Sequence, residues 1–388
     1  MRYRRRRAVR LLLLWGAALR GAAAAGEPPA SPRRLAHQRD GCVNGAGALS
    51  SYGATRFVAR VGDYDRHWYV KRPAAAGLRP LVLDMHGWTY CPSDQVYLSG
   101  WTKIADADGV VVVWPAGTQE HANSTSTSSS WHSGGCCSAS YFAKVDDVAF
   151  LRHVVEAVAA DGGVDLGRVY AAGHSNGCKM AQRLALEAPD LVAGVGCAAG
   201  YAAVSPVADW QPLNFIEVHG ARDVVVPYAG WCCDTDPRRC FDLCPSLDHD
   251  NAVLNLERWR RWNGCSSDAA EVDSGTHVIV THDRCARGVR AALVTLPGVG
   301  HLPYYDHFGY FPGWPEAAVD TTAIVWDFLR GARNTWNATT PFDWETAVPP
   351  ADNATAQAGV LDAAAPRAAR RGLLAGLAAA LVSVVVVL

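Results

Sequence analysis

Short apolar runs along this chain alternate with stretches in which apolar residues recur every three or four positions. Residues 56–61 and 67–70 predict an opening hairpin. Residues 81–86 and 110–114 are near-continuous apolar runs, the pattern of strands covered on both faces, and residues 96–107 between them predict a helix. Residues 145–159 place Val148, Leu151, Val154, Val155 and Val158 on one helical face. Asp146 and Asp147 stand at the start of that segment, where carboxylates favour the helix dipole, and are read as capping residues rather than catalytic acids. Further strands are predicted over 168–172, 191–197, 214–219 and 291–296, and helices over 175–186, 252–262 and 317–329. Strands alternating with helices imply an α/β fold, a mostly parallel central sheet with helices on both faces. There is no internal repeat.

The two ends depart from this pattern. The N-terminus is basic, then apolar over 11–19, then rich in small residues over 21–26, the order of a secretory signal peptide spanning residues 1–25. At the other end, residues 373–388 are apolar to the last position, behind Arg367, Arg370, Arg371 and the small residues Ala363, Ala364 and Ala365. We read residues 367–388 as a GPI-anchor signal, hence a membrane tether through the C-terminus. The alternative is a membrane span, for which about 20 apolar residues are needed. Residues 333–366, with two glycosylation sequons and little periodicity, read as a stalk, which leaves 42–332 as one large catalytic-sized domain.

Composition narrows the class. Of 388 residues, 49% are apolar and 19% charged, which permits a sizeable core and excludes a disordered or fibrous chain. The 36 basic and 37 acidic residues leave no basic field for nucleic acid. Seven arginines fall in the first 20 residues, so removing them takes the formal charge from −1 to −8 and leaves a body not drawn to anionic surfaces.

Twelve cysteines fit an oxidising, extracellular compartment, and Asn123, Asn337 and Asn353 open sequons that could carry glycans. Cys232, Cys233, Cys240 and Cys244 crowd an apparent insertion at 229–250; disulfide staples are preferred there over a zinc site using His249. Cys136 and Cys137 are adjacent, so each is expected to find a distant partner. Cys178 and Cys197 are either buried thiols or a pair.

The chemistry centres on Gly173-His174-Ser175-Asn176-Gly177, a G-x-S-x-G pentapeptide between a predicted strand and a predicted helix. That context is a nucleophile elbow, which holds a serine Oγ out at the end of a strand. A serine needs a base to take its proton, and in this arrangement acid and histidine follow the serine in sequence. Asp223, in the loop after strand 214–219, is the candidate acid, and His301, in a Gly-rich loop after strand 291–296, the candidate base. Backbone N–H groups of Asn176 and of Trp88, in the loop after strand 81–86, are the candidate oxyanion hole. Trp88, Tyr90 and Trp131 are candidate aromatic platforms for an acyl group.

These motifs, together with His67-Trp68-Tyr69-Val70, Trp114-Pro115, Trp131 through Cys137 and His219-Gly220-Ala221-Arg222-Asp223, resemble the secreted feruloyl esterases and polyhydroxybutyrate depolymerase-like esterases of the α/β-hydrolase superfamily over residues 40–305. Trp259 through Cys265, with Cys285 later, resembles that family's late helix and its disulfide, which implies a Cys265–Cys285 bridge. The resemblance implies a cofactor-free, metal-free carboxylic-ester hydrolase with Ser175 as nucleophile, His301 as base and Asp223 as orienting acid. It also departs from the family: Leu302-Pro303 replaces an aromatic-proline pair, and Cys178 follows the elbow where glycine is common. The expected substrate is a feruloyl or other acyl ester of polysaccharide. Polyhydroxyalkanoate or small-ester hydrolysis is the alternative, and a GPI-tethered, catalytically silent binding protein is the reading from another class.

Overall fold

The computed structural model describes residues 47–74, 76–119, 129–230, 251–305, 317–334, 336 and 342. After α1 (Gly47–Ser51), strands β1 (Thr55–Val61) and β2 (Tyr64–Lys71) pair as an antiparallel hairpin. Then follow β3 (Arg79–Met85), α2 (Pro92–Ser99), α3 (Trp101–Asp108), β4 (Val111–Pro115), and the two-residue strands β5 (Thr118–Gln119) and β6 (Ser129–Ser130). The chain continues through α4 (Ser138–Phe142), α5 (Asp147–Ala160), β7 (Val164–His174), α6 (Asn176–Glu187), β8 (Gly194–Ala198), β9 (Asn214–Gly220) and α7 (Ala252–Trp262). It closes with β10 (Ala270–Asp273), β11 (Val278–His282), β12 (Ala291–Leu296) and α8 (Thr321–Leu329).

Ten of these strands form one sheet in the order β1-β2-β4-β3-β7-β8-β9-β12-β11-β10. The inner six run parallel, and antiparallel hairpins close both edges. This order, with a serine at the tight turn between β7 and α6, is the α/β-hydrolase fold. Alternate strand residues point to opposite faces, and each face has its own core. Leu81, Leu83, Val111, Val113, Val169, Ala171 and Phe215 pack under α5, α6 and α7, with Phe150, Leu184 and Trp259 among their partners. Val82, Val112, Tyr170, Ala172, Ile216 and Val294 pack under α2, α3 and α8, against Val96, Trp101, Val325 and Trp326.

The single helix expected over 96–107 is two helices. Gly100, at φ 67°, is the C-cap of α2 and the N-cap of α3, and a left-handed residue ends a helix because it turns the next N–H out of the ladder. The last helix starts at Thr321, later than expected, where the Asp320 side chain accepts the Ala323 N–H at 3.0 Å. The β10–β11 hairpin was not anticipated. Its outer strand is exposed at every position, so it carries no burial pattern, although the β-branched run at 278–281 is a strand signal.

The two acidic residues before α5 do different things. Asp146 caps the helix, accepting the Ala149 N–H at 2.9 Å, as expected. Asp147 is fully buried instead: it pairs with Arg66 at 2.8 Å and accepts the His132 N–H at 2.8 Å. Arg66 also lies over the Phe150 ring, 3.7 Å from its centroid, and donates to the Ala116 carbonyl. Removing one partner of a buried ion pair strands the other charge, so Asp147→Ala should cost about 3–5 kcal/mol of stability, read as a lowered urea midpoint. A midpoint within experimental error of wild type would refute that assignment.

Cys265 pairs with Cys285 and Cys178 with Cys197. Cys136 and Cys137, each expected to find a distant partner, lie against each other, with Cα atoms 3.1 Å apart. Cys232, Cys233, Cys240 and Cys244, the three sequon asparagines, the segment 1–25 and the tail 367–388 lie outside the described residues. Among the described residues no helix is long and apolar enough to cross a membrane.

Candidate active site

Ser175 sits on the hinge between β7 and α6 with φ 54° and ψ −116°, a conformation few side-chain-bearing residues adopt. The hinge is tight because α6 crosses directly over β3. A Cβ on Gly177 would lie 2.1 Å from the Met85 carbonyl oxygen, so only glycine fits there. The Ser175 N–H donates to the Ala198 carbonyl at 2.8 Å, tying the hinge to β8.

The loops after β9 and β12 are bonded to each other through Ala221 N–H to Leu296 O and Arg222 N–H to Val299 O, each at 2.9 Å. They bring the two other predicted residues to the hinge. His301 Nε2 lies 3.0 Å from Ser175 Oγ, and His301 Nδ1 lies 2.7 Å from Asp223 Oδ2. Asp223 Oδ1 accepts the N–H groups of Val225 and Val226, both at 2.8 Å. Because Nδ1 faces a carboxylate, it carries the ring hydrogen, which leaves Nε2 as an acceptor facing the serine hydroxyl. Burial alone would raise the Asp223 carboxyl, but hydrogen bonds from His219 and His301 outweigh it and hold the group well below the usual carboxylate range.

The predicted oxyanion loop lies beside the serine. A Cβ on Gly87 would sit 3.5 Å from Ser175 Cβ, so Trp88 follows at the edge of the hinge, and Asn176 opens α6. His86 fixes this loop. Its Nε2 accepts the Gly117 N–H at 2.9 Å and its Nδ1 donates to Gly87 O at 2.8 Å. Burial pushes its pKa down to about 4, so the ring is neutral in that tautomer. His174, beside the serine, is likewise driven by burial down to about 3, and its Nε2 donates to the His301 carbonyl at 2.7 Å.

The three aromatic candidates separate. Trp88 is 38% exposed, and Tyr90 is half-buried, its ring stacked 6.2 Å from His174. Trp131 is 0% exposed and is not a platform. Its indole N–H donates to His86 O at 2.9 Å, its ring stacks on Phe150, and its backbone exchanges hydrogen bonds with the Asn176 side chain. It is a brace between the oxyanion loop and the start of α6. Sequence spacing marked its proximity but not its direction.

Two further residues were not anticipated at the site. Glu217 and His219, both fully buried on β9, form a 2.7 Å contact through Oε1 and Nδ1, and His219 Nε2 lies 3.2 Å from Asp223 Oδ2. The signal was available: two ionisable residues at alternate positions of an otherwise apolar central strand share a face. Burial would lower His219, but its contacts with Asp223 and Glu217 outweigh this and raise it to about 9. Its unfolded value is near 6.5, so the stability it contributes is complete below about pH 6.5 and lost as pH rises through about 9. The Tm of wild type should therefore fall between pH 6.5 and 9.5 by more than that of His219→Gln; an equal fall in both would contradict this.

The chain is similar to known esterases. Residues 65–224 match the family model "Esterase PHB depolymerase". The chain is 27% identical over 341 residues to "Putative esterase NocK" of Nocardia uniformis subsp. tsuyamanensis, covering 82% of this chain and 96% of that protein. It is 27% identical over 237 residues to Feruloyl esterase B of Piromyces equi, covering 57% of this chain and 39% of that protein, so the match spans well under half of that longer relative. Among solved structures, acetyl xylan esterase from Aspergillus awamori aligns with TM-score 0.45 and 14% identity, covering 64% of this chain and 94% of its own. The matched segment runs from β2 through the elbow to Asp223, so the similarity to the Esterase PHB depolymerase family takes in the serine and the aspartate of the site.

Proposed function

We propose that this protein is a serine carboxylic-ester hydrolase acting on feruloyl or related acyl esters of polysaccharide. The observation that carries the reading is the unbroken contact from Ser175 Oγ through His301 to Asp223 Oδ2, at 3.0 and 2.7 Å, on a serine held at positive φ. In this mechanism His301 Nε2 takes the Ser175 proton as Oγ attacks the ester carbonyl. The backbone N–H groups of Asn176 and Trp88 receive the developing oxyanion. His301 then protonates the leaving alcohol, an acyl-enzyme remains, and water activated by the same nitrogen releases the acid. Asp223 holds the imidazole in the required tautomer throughout.

The substrate class rests on the feruloyl esterase relative and on the exposed apolar side chains beside the site's loops. Trp88 adjoins Gly87, Val224 and Val225 follow Asp223, and Tyr305 lies four residues beyond His301. The paired cysteines support an oxidising, extracellular compartment. The test is kcat/KM for methyl ferulate against p-nitrophenyl acetate. Preference for the ferulate is expected; hydrolysis of the acetate alone favours the small-ester or polyhydroxyalkanoate reading, for which the family model's name speaks. A folded protein inert on both returns the surface-binding reading.

A further inference from the structure

Asp223 is flanked by two imidazoles. Its Oδ2 accepts from His301 Nδ1 on one side and faces His219 Nε2 at 3.2 Å on the other. We propose that His219, clamped by Glu217, is a positioning residue that stands as an imidazolium behind Asp223 and sets the pH at which His301 works as a base. This rests on the Ser175–His301–Asp223 reading and goes one layer beyond it.

The geometry supports a doubly protonated ring. His219 Nδ1 lies 2.7 Å from Glu217 Oε1, and Nε2 lies 2.7 Å from the Val226 carbonyl as well as 3.2 Å from Asp223 Oδ2. Both ring nitrogens face oxygens, and a carbonyl cannot donate. A ring with a hydrogen on each nitrogen donates to both sides at once, and this is the form the proposal assigns to His219. Glu217 has its own support: Oε2 accepts from Asn255 Nδ2 at 2.7 Å, and Asn255 in turn donates to Gln182 Oε1 at 3.1 Å. A buried charge pair of this kind needs further hydrogen bonds on its carboxylate, and Asn255 supplies one. The other groups around His219 are the Tyr201 ring, stacked 5.4 Å away, and the Tyr228 ring, edge-on at 5.8 Å with its hydroxyl on Thr295. His174 on β7 feels the His219 charge, which adds to its own depression.

A cation 3.2 Å from the oxygen that accepts from His301 draws on that oxygen's negative charge. It weakens the pull of Asp223 on a protonated His301, so the catalytic ring releases its proton at lower pH. The clamp also fixes the Gly220–Val226 turn, because the Val226 carbonyl on Nε2 and the Val226 N–H on Asp223 Oδ1 belong to the same residue.

Glu217→Gln isolates the charge from the packing. The new amide can donate to His219 Nδ1 while its oxygen still accepts from Asn255, and a neutral His219 keeps its Nε2–H on the Val226 carbonyl. The acid limb of kcat/KM should then move up by about one pH unit, a loss of about tenfold below the limb, with the plateau near pH 8 and KM close to wild type. In wild type labelled with ¹⁵N-histidine, His219 should show two protonated ring nitrogens from pH 6 to 8; in Glu217→Gln it should show one. A singly protonated His219 in wild type at pH 7 overturns the proposal without recourse to any variant, so a misfolded Glu217→Gln does not shield it. An unmoved limb in folded Glu217→Gln, or a uniform loss at every pH, overturns it as well. Ser175→Ala, assayed alongside, separates the two layers. If it is inactive while the Glu217→Gln limb is unmoved, only the role of His219 falls; if it retains activity, the triad reading falls and takes that role with it.

Discussion

Ser175→Ala is expected to lower kcat by about 10⁴-fold or more on any ester the protein cleaves, with the fold intact. The magnitude follows from what the other groups can do alone. Without Oγ, the oxyanion donors and the bound geometry can still favour attack by water, which leaves a residue of catalysis but no acyl-enzyme. The fold should survive because the hinge is held by backbone: the Ser175 N–H on Ala198 and the close crossing of Gly177 over β3 do not use the hydroxyl. The serine to alanine change removes one oxygen at a positive-φ position the backbone already enforces. Thermal unfolding should be close to wild type while turnover disappears. Turnover within tenfold of wild type would remove Ser175 from the mechanism.

Asp223→Asn should be nearly as damaging, about 10⁴-fold in kcat, for a different reason. Asp223 Oδ1 accepts two backbone N–H groups, from Val225 and Val226, and an amide NH₂ cannot replace it there. The amide oxygen therefore keeps those two bonds, and the NH₂ group turns to His301 Nδ1. That nitrogen must then accept, so the ring hydrogen moves to Nε2 and points at Ser175 Oγ. The histidine becomes a donor where the reaction needs an acceptor. The asparagine fits the same space, but its NH₂ then faces His219 Nε2 where the carboxylate oxygen stood, so stability should drop while KM stays near wild type. A loss of less than tenfold would mean that Asp223 does not set the tautomer.

Both effects trace to features legible in the chain. The elbow was readable because its serine lies between a predicted strand and a predicted helix, and each demands glycine where glycine stands. The order serine, aspartate, histidine, each after a predicted strand, located the three residues that meet in space. The parallel sheet followed from continuous apolar runs, since strands covered on both faces have no polar side. The unread parts share a cause, which is that direction is not written in spacing. Trp131 lies near the serine in space but points into the core, where its indole N–H braces His86. Asp147 is adjacent to a helix cap yet turns inward to Arg66. The outer strand β10 is exposed throughout, so burial left no trace in its sequence. Glu217 and His219 were visible as charges in a core strand, but their meaning depends on the turn that folds Asp223 back over them.

The central claim is that Ser175 is a nucleophile activated by His301. The most direct test is to treat the folded protein with a fluorophosphonate and locate the adduct by peptide mass spectrometry. One adduct is expected, on Ser175, formed in step with loss of ester hydrolysis and absent from Asp223→Asn on the same timescale. A protein that hydrolyses esters while Ser175 stays unmodified, or an adduct confined to another residue, would contradict it.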